Sequence, residues 1–333
     1  MRSSTPFFPP RIAKQLDVTT CKVNSCRWRH LLDVSAAESD SLWPLHLCSE
    51  CGLVRLGKLP TVSEAYPAEY YGKADKKFLP IFERLSHRPP VLLETAEQLA
   101  HELAAQEGRS PNVLDVGCGR GYLLKRLRRA GWSCAGIDIP SSPIPESEVG
   151  MDCRSGDASS LPWPDRSFDL VVINHVLEHV ADPWLACREA ARVLRDGGIL
   201  YVGVPNFGSW QSQVFGGSWF PLEIPRHLFH FTPDTLSMVV SASGFSPRKT
   251  STWSLTQGTF GFIQSALNQA DHTRRNSFLA LVKGQRATTL SAALLHTLAA
   301  CVLLPVGVLE TICSSAASRG PIVAMVAIKS SVH

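Results

Sequence analysis

Charge is scarce in this 333-residue chain: Asp, Glu, Lys and Arg make up 19% of it, and the net charge is only +4. So mild a balance argues against the positive field that steers nucleic acid onto a protein. The first twenty residues hold Pro6, Pro9, Pro10, Arg11 and Lys14 but no apolar run of signal-peptide length, so the expected location is cytoplasmic. In that reducing setting the ten cysteines are expected as thiols, and clustered thiols point to metal before disulfide. Apolar residues, by contrast, reach 44%, ample for the cores of about two domains of ordinary size.

A missing glycine is equally informative. Val113-Leu114-Asp115-Val116 runs as an apolar strand into Gly117, Gly119 and Gly121, and an amphipathic segment follows over 123–130. Glycines at a strand-to-helix turn let the backbone approach a ligand, because no Cβ intrudes and positive φ costs little. A dinucleotide-binding G-x-G-x-x-G would need glycine where Tyr122 stands, which counts against a nicotinamide oxidoreductase. The next strand, 133–139, ends in Gly136-Ile137-Asp138-Ile139, and an acid at that edge can accept both ribose hydroxyls of a nucleoside. Gly156-Asp157-Ala158 comes next, and then a strand running into Asn174-His175-Val176-Leu177-Glu178-His179.

In this order, over residues 111–206, the motifs resemble those of class I S-adenosylmethionine-dependent methyltransferases, in particular the branch that acts on quinones and small molecules. The resemblance implies an α/β fold built on a Rossmann-like seven-stranded sheet, with S-adenosyl-L-methionine as methyl donor. It also implies that Asp115, with the backbone near Gly117 and Asn174, faces the methionine ammonium. Asp157 would hold the adenine amino group, with Ala158 near the ring.

The N-terminus carries Cys21-x4-Cys26 and, after a 21-residue spacer, Cys48-x2-Cys51-Gly52. Two close pairs can supply four thiolates to a tetrahedral structural zinc, and His30 or His46 could substitute for one of them. Downstream come Leu53-Val54-Arg55-Leu56, Pro60, Glu64 and Tyr66-Pro67-Ala68-Glu69-Tyr70-Tyr71. This is similar to bacterial methyltransferases with an N-terminal zinc-binding domain, some of which act on nucleotide-linked sugars or other glycan precursors. The implied organisation is a zinc-ribbon-like domain over 1–72, linking helices over 73–110 and a methyltransferase domain over 111–333. The tyrosines either line a substrate cleft or pack the ribbon onto the next helix, expected over 89–108.

The second half predicts a helix over 186–194 ending at Asp196-Gly197-Gly198, a buried strand over 199–204, and a helix that Thr232 caps and Pro233 opens. Between them lies Pro225-Arg226-His227-Leu228-Phe229-His230-Phe231, which in the family sits on the substrate side of the donor. His227 and His230, with His179 at the start of the helix after the fourth strand, are the candidates to deprotonate or position the acceptor. Two last strands are expected over 246–253 and 322–328, separated by a hydrophobic helical insertion over 255–318. Residues 287–309 contain no charge apart from a proton on His296. As a helix they would be about 34 Å long, enough to cross a bilayer. A crossing would strand the last sheet element on the far side of the membrane. The expectation is therefore a peripheral hairpin, broken at Pro305-Val306-Gly307, with a lid or dimer contact as the alternative.

The function these readings support is methyl transfer to a small acceptor, a sugar or lipid-linked precursor. The rivals are a zinc-ribbon RNA methyltransferase and a non-catalytic, membrane-associated protein that binds S-adenosylmethionine. Against RNA, residues 1–72 carry eight Lys and Arg and seven Asp and Glu, no phosphate-binding excess.

Overall fold

The computed structural model describes residues 27–36, 41–65, 91–139, 151–271, 276, 278–279 and 290–330. Cys21, Cys26, Tyr66, Tyr70, Tyr71 and residues 287–289 lie outside them.

The strands are β1 Trp28–Ser35, β2 Leu42–Cys48, β3 Val54–Leu56, β4 Asn112–Val116, β5 Ser133–Asp138, β6 Met151–Ser155, β7 Phe168–Asn174, β8 Leu194–Pro205, β9 Phe229–His230, β10 Phe245–Ser251 and β11 Ile322–Lys329. The helices are α1 Val62–Ala65, α2 Val91–Gln106, α3 Tyr122–Arg129, α4 Pro183–Val193, α5 Trp210–Phe215, α6 Pro233–Ser241, α7 Leu255–Ala270 and α8 Leu290–Ala316.

Seven strands form one sheet in the order β10-β11-β8-β7-β4-β5-β6, and only β11 runs against its neighbours. This is an α/β fold on a mostly parallel central sheet of seven strands, as the motif order led one to expect. The central strand β7 is buried at six of its seven positions, as expected where both faces are covered. On one face, α2 places Leu92, Ala96, Ala100 and Ala104 at four-residue spacing on the sheet. On the other, α4 starts where the Asp182 side chain accepts from Leu185 N at 2.9 Å and Pro183 takes the first turn. Asp169, wholly buried at the start of β7, accepts two 2.6 Å bonds from Arg109 and one of 2.8 Å from Asn112 N. That fork ties the loop before β4 to the centre of the sheet.

A second sheet, β1-β2-β3-β9, is antiparallel, and its last strand comes from the loop that carries His230. Val54 pairs with His230 and Arg55 with Phe229, so the N-terminal module and the substrate-side loop share one hydrogen-bonded ladder. Trp43, Leu45, Val54 and Leu56 pack there with Phe207, Trp219, Leu222 and Ile224.

Three expectations change. The strand expected over 199–204 begins at Leu194, directly after α4, because Gly197 (φ 73°) turns within a bulge of β8 instead of ending the helix. His179 lies in the turn between β7 and α4, since the Asp182 cap delays the helix to Pro183. The apolar stretch is no broken hairpin: α8 runs unbroken from Leu290 to Ala316 with Pro305 inside it. Packing against α7 supplies what proline removes. A Cβ at Gly307 would lie 3.2 Å from Phe262 and 3.3 Å from Thr259 O, and one at Gly258 would lie 2.5 Å from Thr311. Close approach through these glycines holds α8 on α7 beyond the proline.

Candidate functional site

The ladders place the expected donor residues along one edge. Val116 pairs with Ile137 and with Ile173, and Asp138 with Ser155, so the carboxyl ends of β7, β4, β5 and β6 lie side by side. The strand order changes direction between β4 and β7, where open α/β sheets bind ligands. Gly117, Gly119 and Gly121 all take positive φ, at 81°, 49° and 69°. At Gly117 even an alanine methyl is excluded, because its Cβ would lie 2.1 Å from Val176 Cγ2. Asp138 accepts from Gly119 N and from Ile139 N, both at 2.7 Å, so its carboxylate fixes the turn at the position where the nucleoside is expected. Asp157 closes its loop by accepting from Ser159 N at 2.6 Å, and the neighbouring Ala158 is buried. Asn174 ends β7, its side chain against Gly203. Asp115 is buried on β4, and burial, with Asp138 and Cys153 close by, pushes its carboxyl up to about 8. A cation docking there would restore its charge, so the site fits an ammonium group.

The expected histidines come together beside this edge. His179 and His227 meet with ring centroids 4.7 Å apart, and His230 lies 6.3 Å from His227. His179 Nδ1 faces Arg226 O at 3.2 Å and His227 Nδ1 faces Pro221 O at 2.8 Å. Burial holds His230 down at about 3, and burial with the neighbouring His179, His230 and Arg226 holds His227 well below the usual histidine value.

Three residues were not foreseen. Glu178 is buried, and its backbone carbonyl accepts from Leu228 N at 2.7 Å and Phe229 N at 3.1 Å, which anchors the histidine loop. His175 has φ 55° and sets Nδ1 3.3 Å from Glu178 Oε1. Its other ring nitrogen lies 2.8 Å from the Gln257 side-chain nitrogen, on the first turn of α7. The spacing His175-x2-Glu178-His179 was the available signal for the first two. Gln257, 82 residues away, had none.

At the N-terminal end, Cys48 and Cys51 are buried on a tight turn, where Gly52 (φ 76°) donates to Cys48 O at 3.0 Å. This half of the expected ligand set has the form of a zinc knuckle. Its partners Cys21 and Cys26 are outside the described residues.

Residues 114–202 match the family model described as "Methyltransferase domain". A ubiquinone biosynthesis O-methyltransferase from Dinoroseobacter shibae is 29% identical over 206 residues, covering 55% of this chain and 80% of that one. Another, from Azorhizobium caulinodans, is 32% identical over 146 residues, or 40% of this chain and 58% of its own. Among solved structures, an S-adenosylmethionine-dependent methyltransferase from Mesorhizobium loti aligns over 70% of this chain and 99% of its own, with 15% identity and a TM-score of 0.40. The matched segment contains the glycine turn, Asp138, Asp157 and Asn174, and the protein is an S-adenosylmethionine-dependent methyltransferase.

Proposed function

We propose that the protein methylates an oxygen of a small, lipid-linked acceptor at the surface of a membrane, working from the cytoplasmic side. The donor supplies an activated methyl, so the chain has to align the acceptor, exclude water and take up a proton. Asp115, Gly117 and Asn174 would hold the methionine end, and Gly119, Gly121, Asp138, Asp157 and Ala158 the nucleoside. The acceptor oxygen would meet the cluster of His179, His227 and His230, to which His175 and Glu178 are added. O-methylation is supported by the chemistry that the names of the relatives print.

The observation that carries the membrane reading is the position of the helix pair. Ser251 at the end of β10 pairs with Ala324, and Ile322 at the start of β11 pairs with Pro205 at the end of β8. The chain therefore leaves the sheet for α7 and α8, and returns from them, at the carboxyl edge where the donor residues lie. Gln257 joins that pair directly to His175. On α8, Leu294, Leu295, Leu298, Val302, Val306 and Leu309 are exposed, at 51–73% of their surface. An apolar face this long beside the acceptor side is what a lipid-linked substrate would need in order to enter by lateral diffusion. A structural zinc on Cys21, Cys26, Cys48 and Cys51 would brace the module that pairs with β9 and so steady His230.

The test is to incubate the protein with S-adenosylmethionine labelled in the methyl group and a whole-cell extract split into organic and aqueous phases. Label in the organic phase supports the reading. Label confined to the aqueous phase, with a protein that dimerises and ignores liposomes, transfers the assignment to a soluble sugar and makes α8 a subunit contact.

A further inference from the structure

Glu178 presents an unusual problem for a buried acid. It is 1% exposed, and among the described residues neither carboxylate oxygen has a well-formed hydrogen bond. Its ionic neighbour is His175, at 3.3 Å from Oε1. Carboxylates that leave water are normally paired, hydrogen-bonded or bound to metal. Beside it, Glu178, His179 and His227 each bring one ligand atom to within 4.8 Å of the others.

The hydrogen bonds of the two imidazoles give them the tautomer a metal requires. A backbone carbonyl can only accept, so the contacts of His179 Nδ1 with Arg226 O and of His227 Nδ1 with Pro221 O put the proton on Nδ1 in both rings. Nε2 is then the lone-pair nitrogen in each. Metal-bound histidines are oriented in this way, with the remote N–H given to a carbonyl or carboxylate. Glu223 stands close enough to act as a further acid, its Oε2 3.9 Å from His227 Nε2.

We propose that a carboxylate oxygen of Glu178 and the Nε2 atoms of His179 and His227 bind one divalent transition-metal cation on the acceptor side of the site. Two imidazoles and a carboxylate suit zinc or ferrous iron better than magnesium, which prefers an all-oxygen shell. Three protein ligands leave an open position, and an acceptor hydroxyl bound there would ionise more readily. This deepens the proposed function, on which it rests for the identity of the acceptor: two of the histidines expected to handle the proton would instead hold the ion that makes it labile.

Cobalt(II) titration of the full-length protein, made without a histidine tag and stripped with chelator, tests this. The expected result is one equivalent of cobalt with ligand-field absorption but no thiolate charge-transfer band, over and above any that the N-terminal cysteines take up with such a band. Glu178→Gln and His227→Ala should each weaken it by more than about tenfold. Cys48→Ser should leave it unchanged, which separates it from any metal held by the N-terminal cysteines. S-adenosylmethionine calorimetry on every variant reports whether the domain is folded, and His179→Gln replaces any variant that fails it. Cobalt that binds only with thiolate character, or with equal affinity in the folded variants, overturns the proposal. If cobalt binds as expected and no label enters organic material, the metal site stands and the lipid-linked acceptor falls.

Discussion

Helices α2 and α8 solve opposite problems with similar material. On α2 the apolar residues Leu92, Leu93, Ala96 and Ala100 face the sheet, and Glu94, His101 and Glu102 face solvent. On α8 the buried positions are Gly307, Thr311 and Ser314, while Leu295 and Val302 are 67% and 73% exposed. Its partner α7 likewise buries Gly258, Thr259, Gly261 and Ser265. Small residues along part of the seam, beside a cluster of Phe260, Ile263, Leu267, Ala300 and Leu303, with other large apolar residues outside, make an arrangement that would gain from a surrounding apolar phase. One half of the molecule covers its large apolar residues, and the other leaves a row of them exposed.

The largest expected effect falls on the half that covers its apolar residues. Asp169→Ala leaves Arg109 without its buried fork and should lower unfolding free energy by about 3–5 kcal/mol in urea titrations. A loss below about 1 kcal/mol would mean that this ion pair does not tie the sheet together. A smaller loss, about 1–3 kcal/mol, is expected for Gly258→Ala, whose new methyl would meet Thr311 at 2.5 Å and Pro321 at 2.8 Å. It should loosen α8 from α7 and leave donor binding intact. Hydrogen exchange that is unchanged in both helices would contradict the close-packed seam.

How far the sequence revealed each half follows from what builds it. The donor edge consists of backbone turns, and a turn with φ near 81° against Val176 requires glycine, so Gly117 announces itself. The cap at Thr232, with Pro233 in the first turn, is local and was equally legible. The acceptor side joins residues far apart in the chain: Glu178 to Leu228, Gln257 to His175, Val54 to His230. No spacing rule reports such contacts. The unbroken course of α8 was misread because the stretch was expected to turn back on itself at Pro305 so that both strands stayed on one side, whereas two separate helices, α7 and α8, lie between those strands.

Donor binding supplies a pH test of the edge. With its carboxyl held at about 8, Asp115 is protonated in the free protein at pH 6 and must lose that proton to meet an ammonium group. Affinity for S-adenosylmethionine should therefore rise about tenfold per pH unit from 6 towards 8 and level off above it. The free protein should change in the opposite sense. Its folded state binds the Asp115 proton more tightly than the unfolded chain does, so this contribution to stability falls as pH rises from about 4 to 8. Calorimetry that finds the same affinity at pH 6 and 8 would remove Asp115 from the ammonium site.

The smallest effect on folding is the most discriminating for the helix pair. Replacing Leu295, Val302 and Leu309 by lysine touches only exposed side chains, and each change should alter stability by less than about 0.5 kcal/mol. The same variant should no longer float with zwitterionic liposomes, where the added lysines gain no headgroup attraction. Retained flotation would show that another surface meets the lipid.

That triple variant also provides the most direct measurement of the central claim, in a comparison of methyl transfer into organic-soluble material by the two proteins at equal occupancy with S-adenosylmethionine. The wild-type protein should label this fraction, and the variant should do so more than about tenfold more slowly. Equal rates for the two proteins, or label that stays wholly in the aqueous phase, would contradict the claim.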